Sequence, residues 1–67
     1  MKDEFFNELD KCKSRLDIYN CLCFFSEFLE VPTIKALEFE FFNLVTFEVY
    51  ELINALKEKY EFIENNF

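Results

Sequence analysis

None of the 67 residues is glycine, and that absence constrains the chain more than any residue it contains. A phosphate-cradling loop, a dinucleotide fingerprint and a nucleophile elbow each need glycine where backbone meets ligand. Histidine is absent too, which removes the commonest general base and a common metal ligand. A chain this short buries only about 60% of the surface that its unfolded form exposes. It is expected to form a single domain over residues 1–67, without room for an elaborated catalytic cleft.

Charge is distributed unevenly. Residues 1–16 balance Asp3, Glu4, Glu8 and Asp10 against Lys2, Lys11, Lys13 and Arg15. Residues 17–56 set seven acids against Lys35 alone, and so carry nearly all of the net charge of −7. An acidic middle repels phosphates and anionic membrane surfaces, so neither direct nucleic-acid binding nor membrane association is expected. The Phe-rich face also lacks the Lys/Arg flank of an interfacial helix. The same field draws the chain toward a basic protein partner. A plainer reading is that the acids keep a chain with 11 phenylalanines in solution.

Cys12, Cys21 and Cys23 are an odd number, and the nearest pair is spaced i, i+2. On a helix those two point to different faces, which does not suit a disulfide. The start Met-Lys-Asp-Glu-Phe-Phe lacks the apolar core of a signal peptide. Free thiols in a reducing cytoplasm are therefore expected. Cys-x-Cys plus one distant cysteine does not supply a zinc site, so no metal and no cofactor are expected. The thiols read best as small core residues.

The strongest punctuation is Val31-Pro32-Thr33, where proline removes a helical hydrogen bond and disfavours helix at the preceding residue. Beyond it, Leu37, Phe41, Leu44, Val45, Val49, Leu52, Ile53, Leu56, Tyr60 and Ile63 fall on one face of a 100° wheel. Before it, Phe5, Leu9, Cys12, Leu16 and Tyr19 form one stripe, while Ile18, Cys21, Leu22, Phe25, Phe28 and Leu29 form another. The change of phase predicts a break at Ser14-Arg-Leu-Asp17, the outline of a capping box with Asp in place of Glu. The predicted fold is all-α, a helical hairpin or three-helix arrangement with helices over about 3–13, 15–30 and 33–64. The alternative is α+β, since Leu37-Glu-Phe-Glu-Phe alternates with period two and 45–50 has strand propensity. That hairpin, over 37–50, would lack the Asn-Gly or Asp-Gly turn that tight hairpins favour.

A helix from 33 to 64 would be about 45 Å long. A compact chain of this size has a radius of gyration of about 11 Å and a diameter near 28 Å. The long helix must therefore bend, pair in an antiparallel hairpin or be covered by another chain. Two hairpins close such faces as a four-helix bundle, and a homodimer is expected on that ground.

Catalysis has little support in the residues. A cysteine nucleophile needs a base or a positive environment, and here the thiols sit in an acidic, Phe-rich stretch. A carboxylate di-metal bundle needs Glu-x-x-His, which cannot occur. The chain is not expected to be an enzyme. Recognition by surface remains. Phe39, Phe47 and Tyr50 lie off the apolar face, and Glu40, Glu48 and Glu51 adjoin them. On one continuous helix these six would form an acidic patch with aromatic anchors, the type of surface that carries protein binding.

The first functional expectation is a small acidic inhibitor or regulator that occludes a basic surface of a host protein, such as a nucleic-acid-binding site. Its composition is similar to that of accessory proteins of bacteriophages and mobile elements. The second is a structural module whose apolar face serves its own dimer. A third comes from Leu9-Asp-Lys-Cys12 and Leu52-Ile-Asn-Ala-Leu56, which resemble stretches of the Hha/YmoA family of small enterobacterial regulators. That resemblance implies binding to a nucleoid protein. The charge departs from the family's pattern and no functional residue is carried over.

Overall fold

The computed structural model describes residues 1–66. Four helices follow in order, α1 (Lys2–Lys11), α2 (Arg15–Phe25), α3 (Val31–Asn43) and α4 (Val49–Asn66), with no strand among the described residues. The all-α expectation holds, and the hairpin over 37–50 is replaced by helix, turn and helix.

The break in the N-terminal arm lies where the phase change put it. Ser14 caps α2 by accepting from the Asp17 N–H at 3.1 Å. The Asp17 carboxylate in turn accepts from the Lys13 N–H at 3.0 Å. A capping box would send that second bond to the cap residue, so the bond is displaced by one position. α2 also ends earlier than expected, at Phe25, and a turn over 26–28 leaves Phe28 exposed and Leu29 half-buried.

α3 begins at Val31, two residues before the expected start. Pro32 occupies the first turn, where its missing N–H costs nothing, and Glu30 is the extended cap. The larger correction concerns the run from 33 to 64, which is not one helix. It stops at Asn43, turns through 44–48 and resumes at Val49. Asn43 bonds its own Nδ2 to the Phe39 carbonyl at 2.8 Å, the competing local bond that makes Asn a poor interior residue. Val45 and Thr46, both β-branched, follow. Of the residues that read as strand, 45–48 lie in the break, whereas the alternating run of 37–41 is interior to α3.

Helices often end on a glycine in the left-handed region. Without glycine, no described residue has positive φ, and the ends are closed by other means. α1 finishes on extended Cys12, whose N–H reaches Leu9 O at 3.0 Å. α3 is closed by a side chain from α2. Arg15 donates to Phe41 O at 3.0 Å and to Leu44 O at 2.6 Å, with its guanidinium 4.6 Å from the Phe41 ring centroid. That cation also meets the negative end of the helix dipole.

Each helix packs on two others, closing a ring in the order α1, α2, α3, α4 and back to α1. Inside lie Phe5 and Leu9, then Ile18, Cys21, Leu22 and Phe25, then Ile34, Leu37 and Phe41, then Leu52, Ile53, Leu56 and Tyr60. No polar or charged side chain is buried among the described residues. The radius of gyration is 10.7 Å and the extents are 29 × 20 × 16 Å, so the folded-back run fits the compact size. One chain supplies the four helices that two hairpins were expected to supply. The fold-back removes the uncovered 45 Å helix (about 30 residues at 1.5 Å each) as a ground for a dimer. Large apolar side chains such as Leu16, Phe39 and Phe42 nevertheless remain exposed on the outside of the four helices.

Candidate protein-docking site

With the core so arranged, the aromatic residues left outside define the surface. On α3, Ile34, Leu37 and Phe41 face inward, which turns Phe39 and Phe42 outward at 67% and 59% exposure. On α2 the inward set is Ile18, Cys21, Leu22 and Phe25, which turns out Leu16, 67% exposed, and Tyr19. The Tyr19 ring joins the two helices. Its centroid lies 5.9 Å from that of Phe41 and 6.4 Å from that of Phe42. Leu16, Tyr19, Phe39 and Phe42 thus belong to one apolar face across α2 and α3.

Leu16 and Tyr19 are not among the residues expected to bind a partner. Their 4, 3, 4, 3 spacing continues the stripe of Phe5, Leu9 and Cys12, which marks them as core. The break at residues 12–14 restarts the helical phase and rotates both outward. Ser14 carried that signal, since a capped start resets any wheel drawn through it.

The six expected site residues lie in three elements rather than on one helix. Phe39 and Glu40 are on α3, Phe47 and Glu48 in the connection, and Tyr50 and Glu51 on α4. Phe39, Phe47 and Tyr50 are all exposed, at 67%, 47% and 64%, and none pairs with another aromatic ring among the described residues. The direct polar contact within the set is the Tyr50 hydroxyl donating to Glu51 Oε1 at 3.4 Å. Phe39 therefore belongs with the α2–α3 face, while Phe47, Glu48, Tyr50 and Glu51 gather at the α3–α4 turn.

Lys2 pairs with Glu61 at 2.8 Å and Lys57 with Asp10 at 2.5 Å, both joining α1 to α4. Both ammonium groups also lie near the Phe6 ring, at 5.8 and 5.4 Å from its centroid. Such exposed pairs contribute little stability. They pair Glu61 and Asp10, while Asp3 and Glu4 on α1 and Glu58 and Glu64 on α4 have no salt-bridge partner among the described residues. Glu27, Glu30, Glu38, Glu40, Glu48 and Glu51 have none either. Unpaired acids therefore lie on every side of the molecule, and those on α3, its flanking turns and the start of α4 stand beside the exposed aromatics.

Cys12 and Cys21 line a shallow cleft of about 320 Å³ with Glu8, Lys11 and Asp17. The Cys12 thiol donates to Glu8 O at 3.3 Å. Burial pushes the Cys21 thiol up to about 12, and burial likewise raises Cys12. Both thiols are therefore protonated near neutral pH and poor nucleophiles, as packing residues are. Cys23, by contrast, is exposed and is not the core residue expected of it, because the inward set of α2 is Ile18, Cys21, Leu22 and Phe25.

No helix among the described residues is long and apolar enough to cross a membrane. No family model matches the chain, and no curated protein or solved structure matches it. The stretches that resemble the Hha/YmoA family include four residues of the buried core, Leu9, Leu52, Ile53 and Leu56. Similar residues at such positions follow from packing a helix.

Proposed function

We propose that this chain is a small acidic protein-binding module, acting as an inhibitor or regulator by docking on a basic surface of a partner protein. One observation carries this reading: exposed aromatic side chains stand beside acids that have no salt-bridge partner among the described residues. Aromatic anchors supply most of the energy at protein interfaces, whereas charge sets association rate and partner choice. The accessory proteins of phages and mobile elements offer the nearest functional parallel. A partner whose basic surface normally holds nucleic acid would be inhibited by simple occlusion.

The full chain, immobilised and exposed to extract of the cells that produce it, should retain a basic protein at about 0.05 M salt. It should release that protein at about 1 M, where the screening length falls to about 3 Å. Phe47→Ala should keep the parent helicity and capture less of the partner. Recovery of the chain alone would favour a module that serves only its own assembly. Unfolding of the Phe47→Ala variant would make Phe47 part of the fold and remove it from the interface.

A further inference from the structure

We infer that the α2–α3 face of Leu16, Tyr19, Phe39 and Phe42 is the seat of a basic amphipathic helix of the partner. The inference rests on the proposed acidic docking function and adds the place and the chemistry of the occupant. Two packed helices with outward apolar side chains present what a bundle presents to its next helix. Such a face receives anchors spaced i, i+3, i+4 and i+7. Each half of the face is itself an i, i+3 pair, Leu16 with Tyr19 and Phe39 with Phe42, and the two halves meet where the Tyr19 ring reaches Phe42.

Charge selects the occupant. Glu38 on α3, one turn before Phe42, and Glu27 on the turn after α2 have no salt-bridge partner among the described residues. Arg15, next to Leu16, is engaged by the Phe41 and Leu44 carbonyls. Lys35 is the one base on α3. A second copy of a chain with a net charge of −7 would bring like charge to the same rim, whereas a Lys- or Arg-flanked helix would satisfy it.

The test uses the full chain, isotope-labelled, and three synthetic peptides of about 16 residues. One has leucines at i, i+3, i+4 and i+7 with lysines between them. The second has the same leucines with glutamates. The third has the lysines with the leucines scrambled. The patterned basic peptide should shift the backbone resonances of Leu16, Tyr19, Phe39 and Phe42. Both other peptides should bind at least about tenfold more weakly, because one lacks the charge and the other the anchors. Phe39→Ala and Leu16→Ala, at exposed positions, should keep the parent spectrum elsewhere and weaken binding by about fivefold or more. Lys35→Glu should tighten it about twofold to fivefold.

Shifts confined to Phe47 and Tyr50 would overturn this face and leave the acidic docking function standing. Equal binding of the glutamate peptide would overturn the inference and the docking function together. Equal binding of the scrambled peptide, or no shift with any peptide, would overturn the α2–α3 seat. So would a doubling of mass that protects the same four residues, since the occupant would then be a second copy.

Discussion

Phe5→Ala is expected to remove about 3–5 kcal/mol of stability, the usual cost of emptying a fully buried aromatic site. Phe5 is completely buried, and its ring meets those of Phe25 at 5.2 Å and Tyr60 at 5.5 Å. One side chain thereby joins α1 to both α2 and α4, and the α1 end of the ring of helices depends on it. A chain of this length has about 3–10 kcal/mol of stability in total. The variant should therefore be partly or wholly unfolded near 37 °C, with its urea midpoint far below the parent value. Phe62→Ala, at an exposed position, should change stability by no more than about 0.5 kcal/mol. A Phe5→Ala protein within about 1 kcal/mol of its parent would place Phe5 outside the core.

Arg15→Ala is the second large effect. Arg15 holds two carbonyls at the end of α3 and lies over the Phe41 ring, where many chains would use a glycine. Hydrogen bonds from a charged group contribute about 1.5–3 kcal/mol each when well formed. This site is only partly buried, so a total loss of about 2 kcal/mol is expected. For a domain of this size that lowers the melting temperature by about 10 °C. Arg15→Lys should recover part of the loss, because a single ammonium has the charge but cannot span both carbonyls as a guanidinium does. Calorimetry of the two variants checks this. Equal melting of the Arg, Lys and Ala forms would mean that the α3 end is closed by other groups.

The helical class, the break at Ser14 and nearly all of the core were legible because they depend on local spacing and capping. The inward positions Leu37 and Phe41 and the α4 set of Leu52, Ile53, Leu56 and Tyr60 follow a period of 3.6 within each helix. Ile34, one turn before Leu37, is a core residue outside the expected stripe because α3 starts earlier than expected. The turn at 44–48 was harder to read. It has no proline or glycine, and Leu44 and Val45 within it, with Val49 just after it, extend the stripe of Phe41 in phase. Only the weak helix preference of Asn43, Val45 and Thr46 marks it. The role of Arg15 was not legible, since its acceptors lie 26 and 29 residues away and no local pattern connects them. The candidate site was read in part for the same reason. The exposed aromatics Phe39, Phe47 and Tyr50 were legible, but their grouping depends on where the helices break. Tyr19 joined the surface only when α2 restarted its phase.

The account depends most on the fold-back at 44–48, because it closes the core within one chain and sets the α2–α3 face apart from the α3–α4 turn. Small-angle scattering tests it directly on the unmodified protein at tens of micromolar. The expected result is the mass of one 8.2 kDa chain and a radius of gyration close to 10.7 Å, enlarged only by hydration. A maximum dimension of about 45 Å or more, the length of an unbroken helix from 33 to 64, would contradict the fold-back. A doubled mass would give the exposed face to a second copy.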